Sequence, residues 1–117
     1  MNSFFKAFTY AFTGIKLSFR ERNMRVMAAC ALLTIVAGFV LQINSTDWCI
    51  ILGCIGMVLA LETMNTAIEH FVDMVEPNHN PKAGAVKDLS AGAVFLFSLI
   101  AAGIGLIVFS KYIILLF

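Results

Sequence analysis

The chain has 117 residues, of which 61% are hydrophobic and 13% charged, with a formal net charge of +1. A soluble domain carries about 25% charged residues. The figures exclude a disordered chain, a nucleic-acid binder and a disulfide scaffold, and leave too little polar surface for a soluble enzyme. The expectation is one all-α domain, residues 1–117, embedded in a bilayer.

The first element runs from about residue 3 to 22. Phe4, Phe5, Phe8, Phe12, Ile15 and Phe19 recur at three- and four-residue steps, with Lys6, Lys16, Arg20 and Arg22 among them. That pattern predicts an amphipathic helix lying in the membrane interface. Residues 25–43 follow; from Met27 to Ile43 they are apolar and uncharged, nearly long enough to cross a hydrocarbon core of about 30 Å. Asn44 to Asp47 form a polar turn, and Trp48 stands where an interfacial aromatic belongs. A second span covers 48–75. The loop Glu76–Pro81 is polar and holds both prolines. A third span covers 83–112, and Lys111 and Tyr112 mark its far interface. Cys30, Cys49 and Cys54 include no CxxC pair and read as small buried hydrophobes.

Five of the basic residues, Lys6, Lys16, Arg20, Arg22 and Arg25, precede the first span. Lys82 and Lys87 follow the second, and the turn between spans one and two has no cation. The positive-inside rule puts the N-terminus and the 76–81 loop in the cytoplasm. Three short spans enclose a polar site poorly, which points to a homo-oligomer.

The acids carry the functional signal. Glu62, Glu69, Asp73 and Glu76 share one helix with Asn65. Taking about 100° per residue from Glu62, Asn65 falls at about 300°, Glu69 at 340°, Asp73 at 20° and Glu76 at 320°, an arc of about 80°. Glu62 lies about 21 Å along the helix from Trp48, within or at the edge of the hydrocarbon. An ionisable group there costs at least about 2.5 kcal/mol and marks function. Carboxylates at an aqueous boundary suit a hard cation such as Mg²⁺ that bridges to phosphate. Lys87 and Asp88, across the loop, place a phosphate-binding cation at the same end. His70, at about 80° on the same wheel, reads as a packing or interface residue. Glu21 has Arg25 four residues on, an alternative ion-pair partner.

These residues resemble a known signature. Glu62-Thr63-Met64-Asn65-Thr66-Ala67-Ile68-Glu69, then Val72-Asp73, then Ala85-Val86-Lys87-Asp88-Leu89-Ser90-Ala91-Gly92-Ala93-Val94 are similar to the prokaryotic diacylglycerol kinase family. Tyr10 to Gly14 and Glu21-Arg22-Asn23-Met24-Arg25 extend the likeness over nearly the whole chain, and the Glu21-Arg22-Asn23 triplet resembles the undecaprenol kinase branch. The resemblance implies a trimeric membrane lipid kinase, with a surface helix and three spans, that phosphorylates undecaprenol or diacylglycerol with ATP and a divalent metal. It implies Glu62 as general base and Asn65 as the group orienting the reactants. Glu69 and Glu21 would hold the metal. Tyr10, Asn78, His79, Asn80, Lys87 and Asp88 would meet the nucleotide, in a composite site facing the cytoplasm of a bacterial inner membrane. Glu62, Trp48 and Asn23 are the candidates for contact with the lipid.

Two other classes compete. An ion- or proton-conducting subunit needs acids across the whole bilayer, and Trp48 to Leu61 offers none. A non-catalytic assembly protein leaves Glu62 and Lys87 without a task.

Overall fold

A computed structural model describes residues 2–117. It contains four helices: α1 (Ser3–Ser18), α2 (Arg22–Val40), α3 (Ser45–Val75) and α4 (Pro81–Leu116). The last three are long and apolar enough to cross a membrane. The all-α architecture of an N-terminal helix and three spans is therefore as the sequence predicts.

Several element ends differ from the sequence expectation; α2 also starts three residues earlier and α4 ends four residues later than expected, and for the other four ends local chemistry gives the reason. Helix α1 stops at Ser18 rather than near Arg22. Ser18 is buried and its hydroxyl donates to the Ile15 carbonyl at 2.7 Å, a back-bond that competes with the helix ladder. The Arg25 guanidinium then donates to the Phe19 and Arg20 carbonyls at 3.3 and 3.2 Å, capping the corner. Helix α2 ends at Val40, three residues before the expected Ile43. The Gln42 N–H donates to the Phe39 carbonyl and the Ile43 N–H to the Gly38 carbonyl. This is a Schellman stop, with Gln42 at φ 53° where glycine is usual. Asn44 caps α3 by accepting from the Asp47 N–H at 2.9 Å, so α3 starts at Ser45 rather than Trp48. Asn80 caps α4 and Pro81 takes its first helical position, where a missing N–H is harmless, two residues before the expected start.

Helix α3 is central, packing against α4, α2 and α1. At about 1.5 Å per residue its 31 residues span about 46 Å, more than a ~30 Å core, so part of the helix projects beyond the hydrocarbon. The apolar cluster sits toward the opposite end: Ile43, Ile51 and Val108, flanked by Trp48, Ile55 and Ile104. Trp48 lies against Gly38, where a Cβ would stand 2.7 Å from the indole Cη2, and its ring meets Phe39 at 4.8 Å.

A polar tie closes this end. Asp47 is buried, and Lys111 Nζ lies 3.1 and 3.0 Å from its two carboxylate oxygens. The Tyr112 hydroxyl donates to Asp47 Oδ2 and accepts from the Asn44 N–H at 3.0 Å. A desolvated carboxylate needs such partners. The cysteines Cys30, Cys49 and Cys54 are all free thiols. Cys30 and Cys49 are exposed and Cys54 is half-buried, so the expectation that all three are buried does not hold; they stand on helix faces left open to the surroundings.

Candidate active site

The polar arc of α3 begins with Glu62, only 4% exposed, followed by Asn65 and Thr66, also buried. The Thr66 hydroxyl donates to the Glu62 carbonyl at 3.1 Å, which keeps that hydroxyl from being an orphan in an apolar layer. Asn65 Nδ2 donates to Glu69 Oε1 at 3.0 Å. A carboxylate only accepts, so this bond fixes the amide orientation. It leaves Asn65 Oδ1 buried with no partner. A buried, unpaired acceptor of this kind calls for a partner from outside the chain, whether water, an ion or a ligand. Glu69 and Glu21 are the acids whose charges reach Glu62.

Glu21 arrives from the α1–α2 corner, where it is the N-cap residue of α2 but makes no capping bond with its side chain. The ion pair with Arg25 does not form, because Arg25 is committed to the corner carbonyls. Glu21 Oε1 instead lies 3.4 Å from His70 Nε2 on α3. The sequence reads His70 as a packing or interface residue but does not name what it meets. Its partner is 49 positions away, and no spacing rule connects them.

One turn beyond Glu69, Asp73 Oδ1 holds Lys87 Nζ at 2.8 Å, joining α3 to the start of α4. Lys87 is also within charge reach of Glu69 and Asp88. Beside this pair a cleft of about 190 Å³ is lined by Asp73, Glu76, Asn78, His79, Asn80, Gly84 and Lys87. Glu76 shapes its rim, accepting from the Asn78 N–H at 3.2 Å and Asn80 Nδ2 at 3.3 Å.

The expected residues therefore separate into groups. Glu62, Asn65, Glu69 and Glu21 gather along the C-terminal half of α3. Asn78, His79, Asn80 and Lys87 share the cleft. Tyr10, Asn23 and Asp88 are exposed and line neither the cleft nor the buried row. Trp48 is not brought to the acids: it lies 14 residues and about 21 Å from Glu62, packed on Gly38.

A second cavity of about 640 Å³ opens between α2, α3 and α4 on the membrane side of Glu62. Its walls are largely apolar and include Met27, Ile51, Ile55, Val58, Leu59 and Phe109. Leu59 is one turn from Glu62. The stretch from Trp48 to Leu61 holds no acid, and Asp47 beyond it is consumed by Lys111 and Tyr112, so the acids form no path across the bilayer.

Leaving aside the His70 ring beside Glu21, the donors at this end of the row are oxygens: the Glu62, Glu69 and Glu21 carboxylates and the free Asn65 Oδ1. That set fits a hard divalent cation. Among the described residues no three His, Cys, Asp or Glu side chains gather tightly enough to hold a metal unaided. Phosphate oxygens and water would have to complete its shell, which is how Mg²⁺ is usually held.

Helical spans, a buried carboxylate at the membrane end of a polar row and a lysine-lined cleft at the other define a membrane enzyme acting where lipid meets water. Comparison with known proteins gives its kin. Residues 9–109 match the family model "Prokaryotic diacylglycerol kinase". The chain is 44% identical to undecaprenol kinase of Bacillus subtilis (strain 168) over 110 residues, 93% of this chain and 89% of that one. It is 31% identical to a diacylglycerol kinase of Synechocystis sp., over 85% of this chain and 58% of the relative. It is 25% identical to diacylglycerol kinase of Escherichia coli (strain K12), over 82% and 80%. The chain belongs to the prokaryotic diacylglycerol kinase family and is an enzyme of the lipid kinase class.

Proposed function

We propose that this enzyme transfers the terminal phosphate of ATP to the primary hydroxyl of undecaprenol, at the cytoplasmic face of a bacterial inner membrane. The observation that carries the proposal is the polarity of α3: buried Glu62 faces the lipid end of the row, and the Lys87 cleft faces the aqueous end. The undecaprenol kinase relative, at 44% identity, favours that alcohol over diacylglycerol.

The lipid hydroxyl approaches sideways from the bilayer, its apolar chain lying along the cavity that ends at Leu59. Glu62 accepts the hydroxyl proton as the lipid oxygen attacks the terminal phosphorus. The bond from that phosphorus to the bridging oxygen breaks, and ADP leaves. Glu62 and Glu69 are seven residues apart, about 10 Å along the axis, which accommodates phosphates between them. Asn65 orients the reactants through its free Oδ1. Glu69 and Glu21 would hold the divalent cation, which would supply neutralisation of charge on the phosphoryl oxygens. Lys87 meets phosphate as a point charge, and Asn78, His79 and Asn80 border the nucleotide. Tyr10 and Asp88 approach the nucleotide and Asn23 the lipid from their exposed positions. A homotrimer would cover the apolar faces that the single chain leaves open, such as Leu32, Leu33 and Leu96.

The test is transfer of label from terminally labelled ATP with Mg²⁺ to undecaprenol or diacylglycerol in mixed micelles. Label mainly in undecaprenol is expected. Label mainly in diacylglycerol reassigns the acceptor, and no label in either from folded protein overturns the kinase function.

A further inference from the structure

Three features of Glu21 belong together. It is the N-cap of α2, yet its carboxylate makes no bond to its own helix, although N-cap acceptors usually satisfy an N–H one turn on. Arg25, its nearest cation in sequence, is spent on the Phe19 and Arg20 carbonyls. Its only side-chain polar partner among the described residues is the ring of His70, at 3.4 Å. The corner carrying Glu21 is three residues long, and α1 before it packs on α3. A free carboxylate in such a corner would sample several rotamers, and fixing it costs conformational entropy.

We infer that His70 is a positioning residue: through its Nε2 contact it holds the Glu21 carboxylate against α3, beside Glu69, so that the two acids present their oxygens to one cation. His70 follows Glu69 directly and so lies about 100° around the helix from it. From there it contacts Glu21 without competing for Glu69 Oε1, which accepts from Asn65 Nδ2 at 3.0 Å. The pair is partly exposed, with 64% of the His70 side chain and 40% of the Glu21 side chain accessible, so it contributes little to stability. Its effect is on where Glu21 sits. Residues that orient a metal ligand typically change metal affinity by about 10–100-fold when removed. The inference rests on the proposed metal role of Glu21 and Glu69.

The test uses the full-length protein in micelles, with Mn²⁺ and ADP as probes and no lipid alcohol. Free Mn²⁺ is read by electron paramagnetic resonance, so the measurement does not depend on turnover. His70→Leu should raise the Mn²⁺ concentration for half-saturation about tenfold. His70→Gln, whose amide can still donate to Glu21, should stay within about threefold of the parent. In a Glu21→Gln background, His70→Leu should change binding less than about twofold, because the partner it acts through is gone. A His70→Leu protein that binds Mn²⁺ like the parent overturns the inference. So does a tenfold effect that persists in the Glu21→Gln background, since it then does not pass through Glu21. Phosphate transfer by the unaltered protein is measured in parallel. Failure there counts against the kinase function, whereas transfer with unchanged Mn²⁺ binding in His70→Leu counts against His70 alone.

Discussion

Gly38→Ala probes how the Trp48 end of the bundle is assembled. A Cβ at this position would stand 2.7 Å from Trp48 Cη2, 2.9 Å from Cζ2 and 3.2 Å from Ile43 Cδ1. Carbon atoms rest at about 3.5–4.0 Å, so the indole must withdraw by close to 1 Å. It has little room, because Phe39 covers it and it packs against the Ile43–Ile51–Val108 cluster. Overpacking of this kind costs about 1–3 kcal/mol. Alanine returns about 0.5–1 kcal/mol in a helix interior. The net expectation is a destabilisation of up to about 2.5 kcal/mol, centred near 1, in detergent-denaturation titrations. Gly14→Ala is the control, since a Cβ there meets nothing within 4 Å, and it should be neutral or mildly stabilising. A Gly38→Ala protein as stable as the parent would refute the packing argument.

Gln42 holds φ 53° in the α2–α3 turn, a conformation that suits glycine. Gln42→Gly should therefore stabilise by up to about 1 kcal/mol in the same titration, and a loss of stability would contradict the turn assignment. Lys87→Met removes the cation beside the cleft and the partner of Asp73; the KM for ATP should rise about tenfold or more while the KM for the lipid holds, as measured in initial-rate assays. Asp47→Asn weakens the hold on Lys111 and on the Tyr112 hydroxyl, and should lower the thermal midpoint with kcat unchanged, because the tie lies at the opposite end of α3 from Glu62.

Much of this architecture was legible in the sequence because long apolar helices announce themselves. Order, number and approximate length of the spans follow from uncharged runs between polar turns. Their ends did not follow, because each is set by one side chain reaching a backbone group: Arg25 on the Phe19 and Arg20 carbonyls, Gln42 in a left-handed turn, Asn80 on the Lys82 N–H. The gathering of Glu62, Asn65 and Glu69 was legible for a different reason. They share one helix, and helical periodicity alone puts them on one face. Contacts between helices carry no such period. Asp47 and Lys111 are 64 residues apart, and Glu21 and His70 are 49 apart, so neither pair could be read from spacing. Trp48 illustrates the converse. Its type and position suggested a lipid contact, and spacing gave no hint that its half-buried ring packs on Gly38.

The most direct test of the central claim is Glu62→Gln. Glutamine keeps the size of a side chain that is only 4% exposed and removes its capacity to take a proton. Initial rates of phosphate transfer from ATP to undecaprenol should fall by about 10²–10⁴-fold, the usual contribution of a general base. Circular dichroism and nucleotide binding should stay at parental levels. A folded Glu62→Gln enzyme that transfers phosphate at the parental rate would contradict the account.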